Sequence, residues 1–314
     1  MMADQGNIAL NTSKWRNVGR GKERTKASSP DAPPNYIAQS PDNQKFYIKI
    51  DDSRIIASEM IANKLYELAG IPVPKQSYVL LEGGRVGLAS HWVPDAQQLF
   101  QSPEEAEAAT AETLPKYVGE GFGMDAWLGN YDVIGGTTLG NMHYRPGPEG
   151  PEAMRIDVGA SMGFSGWGMP KPGQDQPTEH EGRVSWGDRA NELHYMLDPE
   201  LSRRGKPSQY HAALVYSKFQ NDRLRESIQR LQAISDNDID RIVYTYATAA
   251  TPQGPVKLLD DKAAHAMAAT LKARRNYILA NYERVLAKRE GEASRLVAWV
   301  RGRLLRQACS PTAP

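Results

Sequence analysis

Apolar and polar positions alternate with a period of two in one segment of the first hundred residues. In Lys45-Phe46-Tyr47-Ile48-Lys49-Ile50, Phe46, Ile48 and Ile50 fall on one face, and Lys45, Tyr47 and Lys49 on the other. The short apolar run Tyr36–Gln39 and the turn cluster Ser40–Gln44 precede it, which predicts a β-hairpin. Ser77–Leu81 and Val86–Val93, joined by Glu82-Gly83-Gly84-Arg85, predict a second hairpin. Between the two, Ile55, Ile56, Ile61, Leu65 and Leu68 recur at helical spacing. Asp52 or Ser53 can cap that helix, and Gly70 with Ile71-Pro72-Val73-Pro74 ends it.

Further on the pattern becomes helical. Residues 102–112 are Glu- and Ala-rich, and Val118–Leu128 is an apolar segment containing Trp127. Asn130–Gly140 is Gly- and Thr-rich, too loose for a core element, and Gly147–Pro151 is a tight turn. Ala153–Gly159 reads as a short strand ending in Asp-x-Gly, and 163–184 as a long ordered loop rich in Gly, Pro and Trp. From Trp186 to Leu305 helical periodicity dominates, over 210–233, 236–247, 260–286 and 290–306. Residues 1–34 are polar and end in Ser-Ser-Pro-Asp-Ala-Pro-Pro, which predicts a mobile arm. Its charge cluster, Arg16–Lys26, reads either as solvated or as phosphate-contacting. The outcome is a small mixed lobe followed by a large helical one, with a boundary near residue 95.

Composition removes several classes of function. Lys and Arg number 38 against 37 Asp and Glu, so no overall positive field points to nucleic acid. The single cysteine, Cys309, excludes a disulfide framework and a Cys-based metal site. The six histidines lack metal-ligand spacing. Mean hydropathy is −0.57, and no apolar window approaches the length of a membrane span. No apolar stretch near the start resembles a secretory signal.

Three constellations can carry chemistry, and each has an ordinary reading beside it. Lys49 is a solvated strand lysine or, with Glu59 on the following helix, an ammonium fixed to neutralise a polyphosphate. Asp132, in Gly129-Asn130-Tyr131-Asp132-Val133-Ile134-Gly135, is a turn former or a proton acceptor, with Asn141 nine residues on as a cation ligand. Asp157, in Arg155-Ile156-Asp157-Val158-Gly159, is a turn aspartate or a carboxylate presented to a hard cation such as Mg²⁺. The order is more telling than any one of them: strand Lys, helix Glu, hairpin, helices, loop Asp, Asn, then strand Asp-x-Gly. That is the parts list of a kinase in chain order.

With Phe46–Lys49, Ser58–Tyr66 running into Gly70–Pro74, Asp125–Gly135, Asn141 and Arg155–Ala160, the chain resembles the protein-kinase-like superfamily. It is similar to the atypical branch of HipA-type kinases, phosphatidylinositol kinase-like domains, and phage and secreted-effector kinase domains. Ile234-Ser235-Asp236 and Leu271–Tyr277 fit more loosely, and the likeness spans roughly residues 28–285. The resemblance implies that Lys49 contacts the ATP phosphates and Glu59 holds it. Asp132 would orient or deprotonate the acceptor hydroxyl, and Asn141 and Asp157 would bind Mg²⁺. Leu88 to Trp92, including Ser90, would meet adenine near the hinge through backbone groups. No Gly-x-Gly-x-x-Gly precedes Lys49, so Ser28 and Ser29 would supply the turn over the phosphates. No His-Arg-Asp precedes the loop, Val158 stands where phenylalanine is usual, and 135–138 must loop out for Asn141 to reach the metal. Asp125 is the fallback for Asp132.

The expected fold is therefore α+β and two-lobed, with a small β-rich N-lobe and a large, mainly helical C-lobe. The expected division is an arm over 1–34, N-lobe 35–94, C-lobe 95–290, and a terminal helix and tail over 291–314. The expected activity is Mg²⁺/ATP-dependent phosphoryl transfer to Ser, Thr or Tyr of a protein substrate, with no nucleic-acid partner and no transmembrane segment. The same fold also admits AMP transfer, lipid or small-molecule phosphorylation, or a pseudokinase binding module without turnover. A helical scaffold with an N-terminal β cap is the reading outside this superfamily. The expected location is the bacterial cytoplasm, or a host cell reached by a route that needs no signal peptide.

Overall fold

The computed structural model describes residues 7–20, 34–136, 139–164, 171, 186–205 and 207–308, with side chains through residue 291. Both predicted hairpin pairs form: β3 (Tyr36–Gln39) with β4 (Lys45–Lys49), and β5 (Gln76–Leu80) with β6 (Val86–His91). They merge into one sheet because β6 also pairs with β4, setting Lys49 opposite Leu88 and Tyr47 opposite Ser90. One face of this sheet carries a small core of Ala38, Phe46, Ile48, Ile50, Val79, Leu81 and Ala89. The other carries Tyr47, Lys49, Gln76, Tyr78, Leu88 and Ser90, since directly opposed residues share a face.

Residues 7–20 correct the arm expected over 1–34. β2 (Arg16–Arg20) pairs antiparallel with β3 at one edge of the sheet, through a bulge between Asn17 and Gly19. β1 (Leu10–Asn11) pairs parallel with β5 at the other edge. Both are short edge strands whose apolar residues, Leu10 and Val18, are exposed, so they carry no buried-face alternation to detect. Trp15 anchors the segment by stacking on Phe46 at a centroid distance of 4.4 Å.

Helix α1 (Ser53–Leu68) starts where Asp52 accepts a hydrogen bond from the Arg54 N–H, and gives way to Gly70 at φ 69°. It is buried almost all round because it lies between the sheet and the C-lobe helix α8 (Asp236–Tyr246). Ile56, Met60, Ile61 and Leu65 therefore share one core with Ile239, Ile242 and Val243, while Leu68 stays exposed. Tyr78 adds a second tie between the lobes, its hydroxyl donating to the Tyr246 carbonyl at 2.5 Å.

Beyond the sheet, β7 (Gln97–Gln98), β8 (Met142–Gly147) and β9 (Gly150–Arg155) form a three-stranded sheet. Helices α2 (Pro103–Ala108) and α3 (Phe122–Leu128) lie between β7 and β8 in the chain. Next come α4 (Glu192–Tyr195), α5 (Pro199–Arg203), α6 (Pro207–Tyr216) and α7 (Asn221–Gln229), so the helix expected over 210–233 is broken at 217–220. The hairpin β10 (Thr248–Thr251) with β11 (Gly254–Lys257) has no counterpart in the sequence reading. Helix α9 (Asp261–Ala308) is continuous, so the division expected at 290/291 falls inside one helix. Among the described residues, no helix is long and apolar enough to cross a membrane.

Candidate active site

Lys49 is the last residue of β4 and lies on the inter-lobe face of the sheet. Its ammonium donates to Glu59 Oε2 from α1, and Asp157 Oδ1 lies 3.4 Å away on its other side. The lysine and glutamate side chains keep 13% and 3% of their exposure, whereas the Asp157 side chain keeps 54%. A buried ion pair thus meets a carboxylate that opens to solvent. Gln76 braces it, its amide donating to Ser90 Oγ at 2.9 Å and reaching Glu59 Oε1 at 3.4 Å. Burial pushes the Glu59 carboxyl above its ordinary value; Lys49 pulls it back and the Asp157 charge raises it further.

Gly159 explains the close approach. A Cβ there would sit 2.6 Å from Lys49 Nζ, 2.8 Å from Glu59 Oε2 and 3.1 Å from Asp157 Oδ1. The Gly159 N–H also donates to Asp157 Oδ1 at 3.1 Å, fixing the carboxylate's orientation. The glycine of Asp-x-Gly is therefore the floor against which the ion pair is seated.

The nine-residue gap between Asp132 and Asn141 closes on itself. Gly135, at φ 98°, donates to the Asp132 carbonyl at 2.9 Å and lies against Leu139 and Gly140. Asn141 Nδ2 then donates to the same carbonyl at 2.7 Å. The Asn141 carbonyl accepts from Ile156 N–H at 3.0 Å, extending the β8–β9 ladder by one pair. Asn141 is thus bonded to the backbone of Asp132 and sits opposite the neighbour of Asp157. The contact with Asp132 uses the amide nitrogen, so the oxygen is the atom that would face a cation. A carboxylate plus an amide oxygen is a hard donor pair suited to Mg²⁺, which takes few protein ligands beside substrate phosphates. Among the described residues no group of three or more His, Cys, Asp or Glu could hold a metal.

Three expectations change or fall elsewhere. Leu88 is wholly buried and, like Ser90, lies in β6, whose backbone is paired on both sides by β4 and β5. The Trp92 N–H is taken by the Lys45 carbonyl at 2.9 Å. The backbone groups of Leu88 and Ser90, expected to meet a base, are therefore engaged by the neighbouring strands because β6 is central, and at Trp92 the N–H is engaged. The Ser90 hydroxyl and the half-exposed Trp92 ring remain. Ser28 and Ser29 lie outside the described residues; the strands on either side of them pair at Arg20–Tyr36, and Tyr36 is opposite Ile48, one residue from Lys49. Asp125 is no reserve base. It is wholly buried and receives Tyr66 Oη at 2.6 Å, Arg155 Nη2 at 2.7 Å, Arg155 Nε at 3.3 Å and the Tyr216 hydroxyl. Burial and the Asp125 charge hold both tyrosines well above the usual phenol range, so they remain proton donors.

Sequence reasoning gave no role to two cations that hold the loops. Arg274 of α9 donates to the carbonyls of Trp127 and Ala126 at 2.8 and 3.0 Å and pairs with Glu192 at 2.6 Å, all in the interior. Its charge also lies over the Trp186 ring, 4.7 Å from the centroid. Lys171 donates to the carbonyls of Gly129 and Ala160 at 2.7 Å each. Neither has a spacing that would mark it in the sequence.

No protein-family model matches the chain, and no curated protein matches it by sequence. Among solved structures it is similar to the Helicobacter pylori proinflammatory kinase CtkA. The TM-score is 0.51 at 13% identity, over 89% of this chain and 99% of that one. An N-terminal fragment of LepB from Legionella pneumophila (14% identity, 77% of this chain, 46% of that one) superposes at TM-score 0.34. Vaccinia related kinase 3 (14% identity, 90% and 92%) superposes at 0.27. The likeness to CtkA spans nearly both chains and concerns the fold. The architecture is a two-lobed kinase-like fold, an N-terminal β-sheet lobe on a mostly helical C-terminal lobe.

Proposed function

We propose that this protein is an Mg²⁺/ATP-dependent phosphotransferase acting on hydroxyl groups of a protein substrate. The observation that carries the reading is the convergence of Lys49, Glu59 and Asp157, 108 residues apart at its widest, on a glycine that leaves room for nothing larger. A lysine held by a buried glutamate is oriented before any ligand arrives, so its charge needs little reorganisation to meet phosphate oxygens. Asp157, with Asn141, would hold Mg²⁺, which supplies charge neutralisation on the phosphates. Asp132 would accept the proton of the attacking hydroxyl. The kinase-like fold and the name of its structural neighbour support the same reading.

The test is incubation of the purified protein with Mg²⁺ and either γ- or α-labelled ATP in bacterial and eukaryotic lysates, beside Asp157→Ala and Lys49→Ala. Protein-bound label from the γ-phosphate alone, lost in both variants while both remain folded at the assay temperature, is the expected result. Label from the α-phosphate would make the protein an AMP transferase, and label in lipid would move the acceptor. ATP-dependent stabilisation with no label in any arm would make it a binding module. Full transfer by either variant would overturn the site.

A further inference from the structure

Lys171 is 7% exposed, yet it belongs to a Pro- and Gly-rich stretch between Gly163 and Trp186 with no helical or strand periodicity. Its backbone N–H donates to the Gly163 carbonyl at 2.8 Å, which turns the side chain's root toward the loops of the site. The ammonium then donates to two carbonyls, Gly129 and Ala160, at 2.7 Å each, and lies 5.2 Å from the centroid of the Tyr131 ring.

Those two carbonyls are symmetrically placed about the chemistry. Gly129 is the left-handed C-cap of α3, at φ 64°, three residues before Asp132. Ala160 is three residues after Asp157. The same two loops also meet through the Met162 N–H and the Leu128 carbonyl, at 2.5 Å. One buried cation therefore bridges the loop of the proposed proton acceptor and the loop of the proposed metal ligand. Burying an ammonium is costly, and two carbonyls and an aromatic face are among the groups that offset the cost here. The Arg274–Glu192 pair lies close by: Arg274 Nη2, Glu192 Oε1 and Lys171 Nζ all lie within 3.4 Å of the point a Gly129 Cβ would occupy. A second positive charge in that interior is a poor choice for packing alone, since an apolar side chain would fill the space without desolvating a charge.

We infer that Lys171 is a positioning residue for phosphoryl transfer: it sets the separation of the Asp132 and Asp157 loops and touches neither nucleotide nor acceptor. This rests on the phosphotransferase reading for its catalytic consequence, and on the hydrogen bonds alone for its mechanical one. Transfer between held groups is steep in distance, and a misplacement near 1 Å costs on the order of 100-fold.

The experiment compares wild type with Lys171→Met, which keeps most of the apolar stem without the charge, and Lys171→Arg, which keeps a cation with several N–H donors. Backbone hydrogen exchange is followed beside steady-state transfer from γ-labelled ATP. The expected result for Lys171→Met is faster exchange in both 129–135 and 158–162, with 46–50 and 86–91 unchanged. With it, kcat falls about 100-fold while KM for ATP moves less than about threefold. Lys171→Arg should recover part of kcat and of the protection. Should the methionine variant fail to fold, Lys171→Gln, which retains a donor group, replaces it. Unchanged exchange in either loop overturns the inference whatever the activity. Faster exchange with unaltered kcat reduces Lys171 to a structural tie and also overturns it. A wild type without transfer sinks the phosphotransferase reading, and the exchange data still decide whether this lysine couples the loops.

Discussion

Two aspartates seven residues apart divide the work of α3 and its following loop, and exchanging each for asparagine separates them. Asp125 has two oxygens facing four donors: two tyrosine hydroxyls and two nitrogens of Arg155. The substitution Asp125→Asn would turn an NH₂ group toward at least one of those donors and leave Arg155 as an uncompensated charge at zero exposure. Breaking a buried pair in this way costs about 3–5 kcal/mol. At roughly 2–4 °C per kcal/mol for a chain of about this size, the melting temperature should fall on the order of 10 °C. Asp132 is half-buried in a loop, and Asp132→Asn should cost about 1 kcal/mol or less while abolishing transfer. The assay is urea unfolding followed by tryptophan fluorescence, with γ-label transfer measured at a temperature where both variants are folded. Adding Arg155→Met to Asp125→Asn should return part of the lost stability, because the stranded charge goes with it. An Asp125→Asn protein as stable as wild type, or an Asp132→Asn protein with full transfer, would refute the division.

Two further outcomes follow from the same geometry. Gly159→Ala should displace the Lys49–Glu59 pair by a substantial fraction of an ångström, since its Cβ would intrude to 2.6 and 2.8 Å. Transfer should drop on the order of 100-fold with at most a few degrees lost in melting temperature; an alanine variant within twofold of wild type would contradict the seating role. Burial raises the Glu59 carboxyl above 4.5, so the folded protein takes up a proton there before the unfolded chain does. The stability Glu59 contributes is therefore complete below 4.5 and is lost as pH rises through the raised value. Nucleotide binding runs the opposite way, because only ionised Glu59 can hold Lys49. The ATP-induced thermal shift should collapse on acidification with a midpoint above 4.5, and Glu59→Gln should remove that limb. A midpoint at or below 4.5 would count against it.

Much of this arrangement is legible in the sequence because local pattern and chemistry coincide. Lys49 lies in a strand with clean alternation, Glu59 in a helix with a cap and a stop, and Asp157 in a strand-loop junction marked by glycine. What escapes is set by long-range packing. β1 and β2 are strands because β5 and β3 offer them partners, and their own residues do not alternate. Leu88 and Ser90 read as hinge residues because the hairpin is visible in the sequence but its insertion beside β4 is not. Asp125 resembles a candidate base until its four donors, drawn from α1, α6 and β9, fill its coordination. Lys171 stands alone among Gly and Pro residues and Arg274 is one of several cations in Leu271–Tyr277, and only their carbonyl partners give them meaning.

The bridge between Ile8 and Ala250, with the Ala9 N–H on the Ala250 carbonyl at 2.7 Å, bears on how the protein is made. During synthesis the first of these residues emerges about 240 positions ahead of the second, which at 5–20 residues per second is a wait of roughly 12–50 s. Throughout that interval α1 also lacks α8, the helix that covers it. The small lobe cannot finish folding as it leaves the ribosome: Ile8 and Ala9, just ahead of β1, and the side of α1 that faces α8 stay uncovered until α8 and β10 have been translated. A fragment ending at the inter-lobe connection should be a substrate for chaperones and proteases, and the whole chain should unfold in one cooperative step.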